Sequence, residues 1–180
     1  GGGAVPAGVA QHRGIMFNQG QVCCAGSRLY VQKNLYDNVV ADLVSNTKKI
    51  KQGNGLEEGT TMGPLISSTQ QSRVKGYIDK GIEEGAEVLT GGDIPFEKGY
   101  FVSPTIFADV NHSMTIAKEE IFGPVVSAMP FDDIDDLVEK ANDSMYGLAA
   151  GVWTQDIKKA HYIAHKLKAG TVWVNTYNTF

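Results

Sequence analysis

The chain has 180 residues, of which 42% are hydrophobic and 20% charged, with a formal net charge of −4, a composition typical of a globular domain that buries a core without disulfides. Its 16 Lys and Arg residues are scattered, which argues against binding to nucleic acid, because phosphate recognition needs clustered cations. No apolar run reaches the roughly 20 residues of a membrane-spanning helix, and the first residues, GGGAVPAGVAQHRG, lack the pattern of a signal peptide.

Helical and strand patterns alternate along the chain. Apolar residues recur at helical spacing in the stretches 4–17, 36–50, 67–85, 134–142 and 157–167. Short runs rich in β-branched and aromatic residues lie between them, at 28–32, 86–90, 105–110, 124–131, 149–153 and 171–175. The alternation predicts a single α/β domain over 1–180, with a mainly parallel sheet flanked by helices.

Four side chains stand where helix N-caps are expected. They are short polar residues at or near the start of the second to fifth predicted helices: Asp37, Ser67, Asp133 and Asp156. The side-chain oxygen of such a residue can accept a hydrogen bond from a free N–H group of the first helical turn.

Two adjacent cysteines, Cys23 and Cys24, lie in the segment FNQGQVCCAGSR at 17–28, just after a break at Gly20. Neighbouring cysteines seldom bond to each other without strain, so both thiols are expected to be free, which favours a reducing, cytoplasmic location. A free cysteine is often a small buried hydrophobe. A thiol in a turn can instead face a cleft beside free backbone N–H groups and act as a nucleophile. The residues alone leave these alternatives open.

The segment around the thiols resembles the active-site signature of the aldehyde dehydrogenases, in which Gly, then Gln or Glu, then any residue precede the catalytic Cys. Other segments match the same family in the same order: GPLIS at 63–67, GYFVSPTIF at 99–107, KEEIFGPVV at 118–126, AND at 141–143, YGLAAGVW at 146–153 and AGTVWVN at 169–175. The resemblance covers nearly the whole chain, which is identified as a member of this family.

The resemblance implies covalent oxidation of an aldehyde to a carboxylic acid. Cys23 occupies the position of the nucleophile, whose thiolate attacks the aldehyde carbon to give a thiohemiacetal. Hydride transfer to NAD or NADP gives a thioester, which water hydrolyses. The backbone N–H of Cys23 would supply half of an oxyanion hole, and Cys24 would take a packing position.

The resemblance also implies a cofactor site and a substrate site. Glu120 matches the residue that binds the nicotinamide ribose, Phe122 the ring beside the nicotinamide, and Gln70 a residue near the cofactor ribose. Asn178 and Phe180 lie in the stretch that lines the substrate tunnel of relatives. Without the resemblance, the pair of glutamates would be interpreted as a solvated helix end and Phe122 as a core residue.

Several features of the family have no counterpart in this sequence. The Rossmann-like cofactor domain, a general-base glutamate and an oxyanion asparagine precede the cysteine in the family, and an FGG-type segment and an oligomerisation strand follow it. We therefore expect 1–180 to be the catalytic portion, inactive alone, of a protein that forms homo-oligomers at full length.

Two other functions compete with this hypothesis. One is a non-catalytic interaction module that retains the fold. The other is a thiol-based redox or metal protein that uses both cysteines and the pair His161 and His165. The histidine pair lacks the Glu of the HExxH zinc motif, so no metal site is predicted.

Overall fold

The computed structural model describes residues 14–179. Its elements are a 3-10 turn Phe17–Gly20, β1 Arg28–Gln32, α1 Lys33–Thr47, α2 Ser68–Glu83, β2 Glu87–Thr90, β3 Thr105–Ala108, α3 Thr115–Lys118, β4 Val125–Phe131, α4 Ile134–Asn142, β5 Ala149–Val152, α5 Ile157–Lys166 and β6 Thr171–Val174. Most of the predicted helix at 4–17 lies outside the described residues.

The predicted strands are confirmed, and each observed strand lies within its predicted range. The cap predictions are confirmed at Ser67, Asp133 and Asp156, whose side chains accept N–H groups of the first helical turn. The prediction for Asp37 is wrong. Strand β1 runs directly into α1, which begins at Lys33 with Gln32 at the cap position and no side-chain cap bond.

The fold class is confirmed, although the described strands form two sheets. The larger sheet has the order β1-β4-β3-β2. Its β1–β4 and β3–β4 pairs are parallel, and β2 joins β3 in antiparallel orientation at the edge. Strands β5 and β6 form a separate parallel pair.

The core lies around the two central strands of the larger sheet. Strand β3 is buried at every residue and β4 over its first five residues, as expected for strands covered on both faces. Helix α2 packs its buried residues Val74 and Ile78 in the same cluster as Phe107 of β3. Leu43 of α1 is fully buried in a neighbouring cluster, and burying one such side chain contributes roughly 1.5–3 kcal/mol.

The sheet order decides which loops meet. Because β1 and β4 are parallel neighbours, with Arg28 opposite Ser127, the segments that precede them lie side by side at one edge of the sheet. These segments are the cysteine segment before β1 and the loop 119–124 before β4. Within residues 14–179, no helix is long and apolar enough to cross a membrane.

Candidate functional site

Cys23 and Cys24 occupy the two central positions of a tight turn that we call the thiol turn, residues 22–25. The turn is closed by the N–H of Ala25, which donates to the carbonyl of Val22 at 3.0 Å. Both thiols are free; Cys23 is exposed and Cys24 is partly buried. Within residues 14–179, the N–H groups of Cys23 and Cys24 donate to no protein acceptor. The turn therefore presents one thiol to solvent beside two available donors.

The backbone before the thiol turn is left-handed over three successive residues. The φ angles are 49° at Asn18, 57° at Gln19 and 67° at Gly20. A side-chain-bearing residue in this region costs roughly 1–2 kcal/mol, less for Asn. Such strain persists only where the surroundings hold it in place, so the contacts that surround this segment matter for the direction of the thiol.

The loop 119–123 lies against the same segment, because Gly20 packs on the backbone of Gly123. Helix α2 holds this loop through side chains that donate to backbone carbonyls. Gln70 Nε2 donates to the carbonyl of Phe122 at 2.7 Å, and Arg73 Nη2 donates to the carbonyl of Glu120 at 2.7 Å. Phe122 adopts a left-handed conformation, φ 59°, which these bonds stabilise.

The side chains of Glu120 and Phe122 are both partly exposed. The carboxylate of Glu120 has no hydrogen-bond or ion-pair partner in the part of the chain that the structure describes. Its neighbour Glu119 differs, since its carboxylate accepts the hydroxyl of Tyr77 at 2.7 Å. Glu120 is therefore the carboxylate of the pair that is available to accept hydrogen bonds from a bound molecule.

A third segment, 63–67, is joined by one hydrogen bond to Gln21, the residue just before the thiol turn. Gln21 Oε1 accepts a hydrogen bond from the backbone N–H of Ile66 at 3.0 Å. The family resemblance points to Gln21 as part of the motif, but no pattern in the sequence predicts this partner.

The segment after β6 contacts the thiol turn through Cys24. Cys24 Sγ lies 3.5 Å from Asn178 Oδ1, and the Tyr177 hydroxyl donates to the carbonyl of Cys24. Burial, with a smaller contribution from Cys24, raises the pKa of Tyr177 to about 12, so the phenol remains a neutral donor. The Tyr177 ring packs against Trp173, with 4.8 Å between centroids.

A cavity of about 720 Å³ opens between these segments. Its wall is largely apolar and aromatic, with polar groups from the segment after β6 and from Asn46, Lys49 and Thr61. The wall also includes Phe17, Val22, Cys24, Trp153, Tyr177 and Asn178. Val22 and Cys24 flank Cys23 in the thiol turn. The cavity thus reaches the turn beside the exposed thiol.

The structure brings most of the predicted site residues together. Cys23, Glu120 and Phe122 lie on the two adjoining segments, Gln70 supports one of them, and Asn178 contacts Cys24; Phe180 lies outside the described residues. Their catalytic and binding roles stay predictions. Sequence reasoning missed Arg73 and Tyr177. The sequence features that could have indicated them are the position of Arg73, one turn after Gln70 on the same helix face, and the position of Tyr177, an aromatic residue just after the last strand.

The predicted surface pair of histidines lies on α5. The ring centroids of His161 and His165 are 6.2 Å apart, and His165 Nδ1 lies 2.7 Å from the carbonyl oxygen of His161. Among the described residues, no three His, Cys, Asp or Glu side chains form a group that could hold a metal ion.

The chain is similar in sequence to known aldehyde dehydrogenases. Residues 7–180 match the model of the aldehyde dehydrogenase family. The chain is 59% identical over 167 residues to DhaS, a candidate aldehyde dehydrogenase of Bacillus subtilis (strain 168), covering 93% of this chain and 34% of that protein. It is 50% identical over 169 residues to the human mitochondrial aldehyde dehydrogenase, covering 94% of this chain and 33% of that protein.

The fold of a solved structure matches as well. The NAD⁺ complex of an aldehyde dehydrogenase from Bacillus cereus superposes with a TM-score of 0.95 at 55% identity, covering 97% of this chain and 36% of that chain. This chain therefore spans about a third of the length of the relatives it matches.

Proposed function

This chain belongs to the aldehyde dehydrogenase family, and from that premise we propose that residues 1–180 form the thiol-bearing catalytic portion of an aldehyde-oxidising enzyme, with Cys23 as nucleophile. The observation that carries the proposal is the exposure of Cys23 in a turn whose N–H groups at Cys23 and Cys24 have no described acceptor. A nucleophile needs both access to the substrate and donors near the developing charge.

The chemistry at Cys23 begins with its thiolate. The sulfur forms a C–S bond to the aldehyde carbon, the carbonyl π pair moves to oxygen, and the N–H of Cys23 donates to that oxyanion. A bound NAD or NADP would supply the hydride acceptor, and the oxyanion would re-form the carbonyl as the C–H bond of the adduct breaks. The thioester that remains on Cys23 is then hydrolysed by water, which releases the acid and frees the thiol for another cycle.

The residues of the loop 119–123 fit the nicotinamide half of such a cofactor. The carboxylate of Glu120 is partly exposed and has no described partner, so it can accept two ribose hydroxyls. The partly exposed ring of Phe122 is available to pack beside a flat heterocycle. The Gln70 amide nitrogen is engaged by the loop backbone, so its role in cofactor binding would be chiefly to support this loop.

The cavity beside the thiol turn is the proposed site for the remainder of the aldehyde. Its wall is largely apolar and aromatic, with Lys49 also in the lining, which favours an aldehyde whose remainder is mostly apolar, because apolar surface buried there is removed from water. Asn178 and Cys24 lie at the end of the cavity next to the nucleophile. Assembly into a homo-oligomer and a cytoplasmic location remain part of the proposal for the full-length protein.

Site-resolved alkylation tests which thiol is the nucleophile. The chain is treated with iodoacetamide, and the modification of each cysteine is followed by mass spectrometry, with Cys23→Ser and Cys24→Ser as matched variants. We expect Cys23 to react well before Cys24, and an aldehyde to slow the reaction only in variants that retain Cys23. Equal rates, or faster labelling of Cys24, would refute the assignment.

A further inference from the structure

We propose that Gln21 is a positioning residue for the Cys23 thiol, acting through the hydrogen bond that its side chain accepts from the backbone N–H of Ile66. The bond would fix the direction in which the thiol turn leaves the left-handed segment before it. This inference rests on the proposed role of Cys23 and adds a residue that determines its orientation.

Gln21 is held at three points, two of them local. Its N–H donates to the carbonyl of Asn18 at 3.0 Å, and its own carbonyl accepts Asn18 Nδ2 at 3.3 Å. The third is the bond from the Ile66 N–H to Gln21 Oε1 at 3.0 Å, which joins residues 45 positions apart. The two local bonds shape the backbone at 18–21, whereas the third is a long-range contact, as is the bond from the Tyr177 hydroxyl to the carbonyl of Cys24.

The donor at Ile66 is itself fixed in place by both neighbours. Leu65 is buried, 3% exposed, and its N–H donates to the carbonyl of Tyr100 at 2.9 Å. Ser67 is the N-cap of α2 and accepts the N–H of Gln70. The side chain of Ile66 is 80% exposed, so this residue contributes to the site mainly through its backbone N–H.

Residues 17–19, which precede Gln21, have little side-chain packing of their own, although the buried residues Met16 and Gly20 flank them. The side chain of Phe17 is 66% exposed, and Asn18 is exposed as well. Left-handed backbone at Asn18 and Gln19 is strained, and it would relax unless contacts after it opposed that change, as the packing of Gly20 on Gly123 does. The Gln21–Ile66 bond is a further contact of this kind, and Cys23 lies two residues after Gln21.

The test compares variants of Gln21 that keep or remove the acceptor oxygen of the side chain. Gln21→Met retains the length of the side chain but removes the acceptor oxygen, whereas Gln21→Glu retains an oxygen at the same reach. High salt screens the charge that Glu adds. The readout is the ratio of iodoacetamide labelling at Cys23 to that at Cys24, with thermal unfolding followed in parallel.

We expect Gln21→Met to reduce the labelling ratio by up to about tenfold, the population change that the net contribution of one hydrogen bond allows. Gln21→Glu should restore the ratio. The unfolding midpoints should stay close together, because water can solvate the exposed Ile66 N–H in the Met variant. A merely structural role would lower the midpoint without this pattern of loss and rescue.

Removal of the donor, the backbone N–H of Ile66, tests the same hydrogen bond independently. Ile66→Pro deletes the N–H and should lower the labelling ratio as Gln21→Met does, with no further loss in the double variant. The inference is overturned if both single variants fold and retain the wild-type ratio. It is also overturned if Gln21→Met fails to fold while Ile66→Pro folds with an unchanged ratio. Absence of any preference for Cys23 in the wild-type chain would instead refute the proposed function.

Discussion

Gly20 and Gly123 are in backbone-to-backbone contact: a Cβ atom added to Gly20 would lie 2.1 Å from the carbonyl oxygen of Gly123 and 2.4 Å from its carbonyl carbon. The contact joins the segment that leads into the thiol turn to the loop 119–123. Only glycine satisfies it, because the position combines φ +67° with no room for a side chain. The closeness of Cys23 to the proposed nicotinamide site therefore depends on this contact.

Gly20→Ala should destabilise the chain strongly. Left-handed backbone costs a residue with a side chain roughly 1–2 kcal/mol, and overpacking against a backbone adds about 1–3 kcal/mol. Gly59→Ala is the matched control, since Gly59 has φ +85° but a Cβ atom added there would meet no atom within 4 Å. Urea unfolding should show a smaller loss for Gly59→Ala. Equal losses would mean that the Gly123 contact contributes nothing.

Removal of the Gln70 side-chain bond should loosen the loop 119–123 specifically. Gln70 and its neighbour Gln71 each donate to a backbone carbonyl, that of Phe122 at 2.7 Å and that of Phe101 at 2.8 Å. Gln70→Met and Gln71→Met should therefore each cost about 1 kcal/mol of unfolding free energy. Only Gln70→Met should speed amide hydrogen exchange in 119–123. The same exchange rates in both variants would contradict a supporting role for Gln70.

His112 should make stability depend on pH. Burial, followed by the charge of Lys118, lowers the pKa of His112 despite its contact with Asp143. Its Nε2 lies 3.1 Å from Asp143 Oδ2 and 3.1 Å from Lys118 Nζ, and its Nδ1 lies 3.2 Å from the Tyr30 hydroxyl. The imidazole is therefore favoured in its neutral form in the folded chain.

Proton linkage gives the direction in which the free energy of unfolding changes with pH. Because the folded-state pKa lies below the unfolded value of about 6.5, the unfolded chain binds more protons between the two values. The free energy of unfolding should fall as pH decreases through the unfolded pKa and level off below the folded one. His112→Gln should remove this dependence of the unfolding free energy on pH, as measured by urea unfolding at pH values between and around the two pKa values. A slope that persists in the variant would exclude His112 as its source.

A protein of these 180 residues alone should not oxidise aldehydes at a useful rate. Cofactor positioning can account for roughly 7–11 kcal/mol of a barrier, and a general base for about 10²–10⁴ in rate. Neither a counterpart of the family's cofactor-binding domain nor its general-base motif is recognisable in this sequence. NADH absorbance with a simple aldehyde and NAD⁺ should show no sustained turnover. Turnover that is lost in Cys23→Ala would contradict this expectation.

Local features of the molecule were predictable from the sequence. The strands and the caps at Ser67, Asp133 and Asp156 depend on residues within a few positions of one another, so a pattern of side chains specifies them. The assignment of the nucleophile to Cys23 also rests on a short continuous motif, and it stays a prediction. The failure at Asp37 has a local cause as well, since β1 continues into α1 without the loop that would place a cap there.

The environment of the thiol was decided by the tertiary structure. The Ile66–Gln21 bond joins residues 45 positions apart, and the Tyr177–Cys24 bond joins residues 153 apart. Neither could be predicted, because a backbone N–H or carbonyl looks the same at every position of a sequence. Which of these groups meets a given side chain depends on the order of strands in the sheet. The parallel pairing of β1 with β4 is what sets the thiol turn beside Glu120 and Phe122, and hydrogen bonds and packing between distant segments select that pairing.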